Sequence, residues 1–218
     1  MKFFQKKTIY LIRHGEIAAQ KDLEGNMLLY GDDVHLSETG QAQVHALGKR
    51  LLASGSVPTL IVTSPLIRAC QTTEILRNLF DIRVIIDDRL GEHAPKEEIN
   101  KLLIHDIVSC KWRLDPEDER RGMSEIMTHM TDAVEHYTTN YPEDTVAFVS
   151  HGDSIRLCLY GLTHGKKCEI PSSEVLFQSD YLDKGEAWKI QLAPDFHFLE
   201  KEYIGRPLEL WGRGERKS

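Results

Sequence analysis

The chain has 218 residues, of which 41% are hydrophobic and 28% are charged, and its formal net charge is −7 at pH 7. A chain of this length buries a core large enough to need neither disulfides nor a structural metal, and we expect one domain over residues 1–218. The acidic balance argues against nucleic acid as a partner. No apolar stretch approaches the roughly 20 residues of a membrane span, so a membrane is not an expected partner either.

The cysteines and the first residues bear on the compartment. The four cysteines form no CxxC pair and lie in apolar or mixed segments, which is typical of buried free thiols in a reducing compartment. The apolar run Ile9–Ile12 is shorter than the roughly 7–15 residues of a signal-peptide core. We therefore expect a cytoplasmic protein.

The first half of the chain alternates between predicted strands and helices. Short apolar, β-favouring runs predict strands at Thr8–Ile12, Thr59–Thr63 and Arg83–Ile86. Ser37 opens a predicted helix that extends to about Ala53. Ser64-Pro65 is predicted to supply the cap and the first residue of a second helix, which ends near Phe80. A loop from Asp87 to Lys96 follows the third strand.

The second half continues the alternation. Helical spacing of apolar residues predicts helices from Glu97 to about Arg113, from Ser124 to Asn140, and from Asp153 to about Leu162. Strands are predicted at Thr145–Val149, Val175–Ser179 and Ala187–Leu192, the last two near a sheet edge. Strands that alternate with helices indicate an α/β fold, a three-layer αβα sandwich with a mostly parallel central sheet.

Polar residues that suit phosphate follow several of these strands. The first strand runs into Arg13-His14-Gly15-Glu16, the second into Ser64 with Arg68 four residues later, and the fourth into His151-Gly152. Glu92 lies in the loop after the third strand. Because ligands bind beyond the carboxyl ends of parallel strands, we expect these side chains to converge at one edge of the sheet.

These residue types suit phosphoryl transfer. Phosphoryl oxygens carry spread negative charge, which positioned cations and N–H donors stabilise, and the guanidinium of arginine is a planar fork for such oxygens. A neutral imidazole nitrogen can attack phosphorus and form a covalent intermediate. A carboxyl group can protonate the leaving oxygen and later take a proton from water.

The same residues carry a family resemblance. The segments LIRHGE, SPLIRACQT, RLGE and FVSHGDSIR together resemble the histidine phosphatase superfamily, the fold family of cofactor-dependent phosphoglycerate mutases and related phosphatases. Weaker agreement extends over DVHLSETG, GMSE and the late Asp195-Phe196-His197. The resemblance covers nearly the whole chain, and its strongest motifs occur in the family's order.

The resemblance implies roles for individual residues. It implies that His14 is the nucleophile, that Glu92 is the acid, and that His151 is a further catalytic residue. It implies a phosphate-binding set that consists of Arg13, Arg68, His151 and the amide of Gly152. It implies no cofactor, and we expect no metal because the other histidines show no ligand spacing such as HExxH. Among them, His93 and His197 are candidate neighbours of the site.

Some features depart from the family's pattern. The loop Glu92-His93-Ala94-Pro95-Lys96 lacks the usual Trp-Glu-Gly, Ile17 replaces the usual threonine, and the insertion that closes mutase sites is not evident. Nearby carboxylates compete with Glu92 for the role of the acid: Asp87, Asp88, Glu97 and Glu98. Glu16 is interpreted as a structural residue of its loop.

The sequence predicts a phosphomonoesterase that acts through phosphohistidine on a small phosphorylated metabolite. Two alternatives stay open: phosphoglycerate mutase-type transfer, and a non-catalytic module that binds phosphorylated ligands. A third reading rests on Gly152-Asp153-Ser154-Ile155, which resembles the serine block of a lipase and esterase family, and on Asp32-x-x-His35, which resembles its partner block. That reading has its blocks in reversed order and leaves Arg13 and His14 unexplained. The physiological substrate and the oligomeric state are left open.

Overall fold

A computed structural model of the chain describes residues 6–19, 34–92 and 116–205, and the side chains of residues 116–119 are not described. The helix predicted from Glu97 to about Arg113 therefore lies outside the described residues. Within these ranges no helix combines the length and apolar character needed to cross a membrane.

The described residues form one sheet with helices around it. The strands are β1 (Lys7–Arg13), β2 (Leu60–Thr63), β3 (Arg83–Ile86), β4 (Thr145–Ser150), β5 (Ala187–Leu192) and β6 (Phe198–Ile204). The helices are α1 (Glu38–Ala53), α2 (Ile67–Phe80), α3 (Pro116–Asn140), α4 (Gly152–His164) and the short α5 (Ser173–Leu176). The structure confirms the strands predicted at β1, β2, β3, β4 and β5, and the helices predicted at α1, α2, α3 and α4. Helix α3 begins eight residues before the predicted Ser124.

The strand order explains where the site lies. The order across the sheet is β3-β2-β4-β1-β5-β6. Strands β1 to β4 pair in parallel, whereas β5 pairs antiparallel with β1 and β6 pairs antiparallel with β5. The carboxyl ends of β1, β2, β3 and β4 therefore meet at one edge of the sheet, as predicted.

The central strand β1 is buried on both faces and separates two apolar layers. Tyr10 and Ile12 pack against residues of α1 and α2, and Ile9 and Leu11 pack on the other face against residues of α3 and α4. Successive side chains of a strand point to opposite faces, which explains the continuous apolar run of this strand. The sandwich of three layers with a mostly parallel sheet is confirmed.

The strand predicted at Val175–Ser179 is wrong. The segment forms α5 and the turns after it, and Leu176 packs against Met123 and Leu157 beneath it. The buried Nε of Arg156 donates to the carbonyls of Leu176 (2.9 Å) and Ser179 (2.8 Å), so these acceptors are not available to a sheet.

The strand β6 was not predicted. It pairs with β5 as an edge strand, and only part of its surface is covered.

Candidate active site

His14 follows β1 directly and is buried, with 3% of its surface exposed. Its Nδ1 lies 2.8 Å from the carbonyl oxygen of Gly15. Because a carbonyl can only accept a hydrogen bond, Nδ1 must carry the proton of the neutral ring. The lone pair is therefore on Nε2, which is the atom that could attack phosphorus.

The surroundings of His14 keep its ring neutral. Burial lowers the pKa of this imidazole to about 3, and the positive charges of Arg68, Arg13 and Lys184 act in the same direction. At pH 7 the lone pair on Nε2 is consequently not blocked by a proton. A neutral imidazole surrounded by cations is suited to attack an anionic phosphoryl group.

His151 follows β4 and is fully buried, with its ring centroid 5.2 Å from that of His14. Its Nε2 lies 2.9 Å from the Oγ of Ser64, and its Nδ1 lies 3.6 Å from Oε2 of Glu92. Burial, followed by the charge of Arg68, holds the pKa of His151 well below its usual range. The ring is therefore neutral, and its contact with Glu92 is not an ion pair.

Ser64 bears on the tautomer of His151. The Oγ of Ser64 accepts a hydrogen bond from the amide of Leu66 (3.3 Å) and lies 2.9 Å from Nε2 of His151. Where the Ser64 hydroxyl donates its proton to His151, the lone pair of the ring is on Nε2. The proton of the imidazole is then on Nδ1, which has no hydrogen-bond partner among the described residues. A buried N–H donor without a partner in the pocket is suited to bind a phosphoryl oxygen.

The predicted start of the second helix at Ser64-Pro65 is wrong. Helix α2 begins at Ile67 with Leu66 at the capping position, and Ser64 lies before the helix. The reason is that the Ser64 hydroxyl contacts His151 and the amide of Leu66 instead of capping the helix. The predicted place of Arg68 in the first turn of this helix is confirmed.

Arg68 and Glu92 form a close pair in the pocket. Nη2 of Arg68 donates to Oε2 of Glu92 over 2.6 Å, and the side chain of Arg68 is only 3% exposed. The side chain of Glu92 is 25% exposed. Burial raises the pKa of Glu92 above its usual value. Arg68 opposes this shift, whereas the carboxylate of Asp153 adds to it. Glu92 therefore holds a proton to higher pH than an ordinary glutamate.

Two serines fix the loop that carries Glu92. The buried hydroxyl of Ser150, the last residue of β4, donates to the carbonyl of Leu90 over 2.7 Å. The hydroxyl of Ser154 in α4 donates to the carbonyl of Gly91 over 3.3 Å. The loop after β3 is thus attached to the segment around His151, which explains why Glu92 reaches the histidines.

Arg13 and Gly152 form the opposite side of the pocket. Nη1 of Arg13 donates to the carbonyl of Leu182 (2.6 Å), and its Cζ lies 4.9 Å from the ring centroid of Tyr181. A Cβ at Gly152 would lie 2.4 Å from the hydroxyl oxygen of Tyr181 and 2.8 Å from Cζ of Arg13. A side chain at this first residue of α4 would displace Tyr181 or Arg13, whereas glycine leaves a backbone amide that can meet an anion.

The structure brings all the predicted site residues together and adds two that the sequence reasoning missed. Tyr181 donates to Asp153 over 2.6 Å, and Lys184 acts electrostatically on His14 and Arg13. Both lie in the loop before β5, which matches none of the motifs, so the sequence held no signal for them. His197, a candidate neighbour, belongs to the turn between β5 and β6 at the opposite edge of the sheet.

Comparison with known proteins agrees with this geometry. A sequence profile of the histidine phosphatase superfamily (branch 1) matches residues 9–175. The chain belongs to this superfamily. A curated relative named probable phosphoglycerate mutase GpmB, from Photorhabdus laumondii, is 28% identical over 88% of the chain and 94% of its own length.

Solved structures of other proteins share the fold, among them two mycobacterial proteins. Mycobacterial hydrolase 1 has a TM-score of 0.70 at 19% identity and covers 93% of this chain and 100% of its own. A mycobacterial glucosyl-3-phosphoglycerate phosphatase has a TM-score of 0.68 at 18% identity with the same coverage. At these identities the comparison supports the shared fold alone.

Three cationic side chains act on His14 in this site. Among the residues that the structure describes, no three His, Cys, Asp or Glu side chains are placed to hold a metal ion together. Arg13, Arg68 and Lys184 are the cations that act on His14. The pocket can therefore attract an anion through a few local charges although the whole chain is acidic.

Arg68→Ala is expected to weaken competitive inhibition by vanadate or inorganic phosphate by about 100-fold or more, because it removes a buried, charge-assisted donor. Arg68→Lys should recover part of the affinity, since it restores the charge but not the fork. The control is Arg77→Ala on the same helix, where the arginine is exposed and pairs with Glu74. Equal inhibition constants for the Arg68→Ala and Arg77→Ala variants would contradict a focused anion pocket.

Proposed function

We propose that the chain is a phosphomonoesterase that works through a covalent phosphohistidine on His14 and acts on a small phosphorylated metabolite. The observation that carries this proposal is the state of His14. Its Nδ1 is fixed by the carbonyl of Gly15, and its pKa is lowered to about 3, so Nε2 is an available nucleophile. A purely binding pocket has no need of such a nucleophile.

In the first step the lone pair of His14 Nε2 attacks phosphorus. The P–N bond forms as the bond from phosphorus to the leaving oxygen breaks, and the electron pair of that bond goes to the leaving oxygen. Arg13 and Arg68, the Nδ1–H of His151 and the amide of Gly152 stabilise the spread negative charge. Glu92 protonates the leaving oxygen, and its raised pKa keeps a proton available for this.

In the second step water replaces His14. The carboxylate of Glu92, which lost its proton in the first step, takes a proton from water as the oxygen attacks phosphorus. The P–N bond breaks, its electron pair returns to Nε2, and inorganic phosphate leaves. Glu92 is then protonated again and His14 is neutral, so the site is ready for the next cycle.

Hydrolysis of p-nitrophenyl phosphate and a panel of phosphorylated metabolites tests the proposal, with released phosphate as the readout. We expect turnover that survives dialysis against EDTA, because Arg13, Arg68 and His151 would supply the charge stabilisation that a metal supplies elsewhere. Loss of activity on chelation, with recovery after Mg²⁺ or Zn²⁺ is added, would contradict metal independence. No phosphate release from any substrate would contradict the phosphatase.

A mutase is the second candidate, because the relative from Photorhabdus laumondii carries that name. The two activities share the phosphohistidine and differ in what receives the phosphoryl group. Incubation with 3-phosphoglycerate and a trace of 2,3-bisphosphoglycerate separates them. A phosphatase releases inorganic phosphate, whereas a mutase produces 2-phosphoglycerate faster than phosphate.

A further inference from the structure

The loop before β5 is fastened to the pocket by its backbone. The carbonyl of Leu182 accepts from Nη1 of Arg13 (2.6 Å), and the amide of Gly185 donates to the carbonyl of His14 (3.0 Å). The carbonyl of Glu186 accepts from the amide of Arg13 (3.0 Å). These bonds lie on both sides of Lys184 in the chain, so they fix its backbone beside Arg13 and His14.

The conformation of Gly185 helps to fix this position. Its φ is +74°, a value that residues with a side chain rarely adopt, and a Cβ there would lie 2.7 Å from Cβ of Gln43. The amide of Asp183 donates to a carboxylate oxygen of the buried Glu186 over 3.0 Å, which closes the loop on itself. Lys184 is therefore held in place by its neighbours.

The ammonium of Lys184 has repulsive charges close to it. Burial, followed by the charge of Arg13, lowers the pKa of Lys184, and Arg68 acts in the same direction. The carboxylates of Glu16 and Glu92 oppose the shift. Each of them has another hydrogen-bond partner, Ser37 for Glu16 and Arg68 for Glu92.

No hydrogen bond or ion pair joins the Lys184 ammonium to another described residue. An incoming anion would stabilise this half-buried cation.

The charges of the pocket exceed what one phosphoryl group needs. A phosphate monoester dianion is matched by Arg13 and Arg68, with neutral donors from His151 and Gly152. With Glu92 protonated, as its role as an acid requires, Glu16 is the remaining carboxylate that acts on Lys184, and Ser37 already donates to Glu16. Lys184 can therefore act on a further anionic group. The loop position of Lys184, outside the strand ends that carry the phosphate-binding residues, suits a part of the substrate beyond the transferred phosphoryl group.

We propose that Lys184 binds a second anionic group of the substrate, a carboxylate or a further phosphate, beside the phosphoryl group that His14 receives. This inference rests on the proposed phosphatase activity and assigns it a substrate class: phosphate monoesters that carry another negative charge. Lys184 is then a specificity-determining residue, and its contribution depends on the substrate.

Two matched pairs of substrates test this inference through kcat/KM. 3-Phosphoglycerate and glycerol 3-phosphate differ by a carboxylate, and fructose 1,6-bisphosphate and fructose 6-phosphate differ by a phosphate. We expect the wild type to prefer the more anionic member of one pair, which identifies the second anion. Lys184→Gln should lower kcat/KM for that member about 10- to 100-fold and change its partner and p-nitrophenyl phosphate by less than about threefold.

Two further variants serve as controls. Lys184→Arg keeps the charge and should keep most of the preference. Lys167→Gln removes an exposed lysine that follows the last turn of α4, whereas Gly152 begins that helix at its other end. This variant should leave kcat/KM unchanged for both pairs of substrates.

Three results would overturn the inference. One is an equal loss on both members of each pair in Lys184→Gln, and another is a wild type without preference in either pair. The third is a wild type that does not hydrolyse even p-nitrophenyl phosphate, which refutes the proposed function and this inference with it. The first two results leave the phosphatase intact, so the two failures can be told apart.

Discussion

Replacing His14 by glutamine is expected to lower kcat for p-nitrophenyl phosphate by at least about 10³-fold, because the variant has no nitrogen lone pair that can attack phosphorus. Glutamine is polar and of similar length, so the buried position keeps a side chain that can form hydrogen bonds. Steady-state release of nitrophenol measures the loss, and a thermal unfolding curve shows that the variant is folded.

The matched control for His14→Gln is His197→Gln. This histidine has an 80% exposed side chain in the turn between β5 and β6, far from the pocket. We expect activity indistinguishable from the wild type. If His14→Gln kept activity within about tenfold of the wild type, His14 would not be the nucleophile, since loss of such a group has a far larger effect in other enzymes.

The second large effect is expected for Glu92→Gln with alkyl phosphates. An alkoxide leaves poorly without a proton, and general acid catalysis typically contributes about 10²–10⁴-fold. A nitrophenolate leaves readily as an anion, so the acid matters much less for it. Single-turnover rates of His14 phosphorylation should therefore fall by about 10²-fold or more for glycerol 3-phosphate and much less for p-nitrophenyl phosphate.

The same variant should also slow the second step for both substrates, because Glu92 would activate water. With p-nitrophenyl phosphate this produces a burst of nitrophenol followed by slow turnover. Asp88→Asn, which changes an exposed carboxylate in the same loop, is the control and should leave both rates unchanged. Equal losses for alkyl and aryl phosphates in Glu92→Gln would show that another group is the acid.

Much of the fold was predictable because its signals are local. The strand β1 is buried on both faces, which requires a continuous apolar run, and Ile9–Ile12 is such a run. Residues at the carboxyl ends of parallel strands must meet, so His14 and His151 could be placed together from the sequence. The pairing of β1 with β4 brings Arg13 opposite Ser150, next to His151.

The errors arose where tertiary contacts decide the local structure. Ser64 has the sequence context of a helix cap, but its hydroxyl forms a hydrogen bond with His151, which lies 87 residues later in the chain. Val175, Leu176 and Phe177 form a short apolar run that is compatible with a strand, yet Arg156 binds carbonyls of this segment. No local pattern contains these partners, so local patterns gave the wrong element.

The site residues Lys184 and Tyr181 were missed for a related reason. They come to the pocket because β5 runs antiparallel to β1, with Ala187 opposite Ile12. This pairing brings the loop before β5 to the edge where His14 lies. A single lysine or tyrosine in a loop gives no sign of that arrangement until the strand pairing is known.

Direct detection of phosphohistidine on His14 tests the central claim. The Glu92→Gln variant, in which the second step should be slow, is mixed with a ³²P-labelled substrate and quenched without acid. We expect label on His14 that is stable in base, labile in acid and absent from the His14→Gln variant. Label on another residue, or turnover without any trapped phosphoprotein in the wild type and the Glu92→Gln variant, would contradict it.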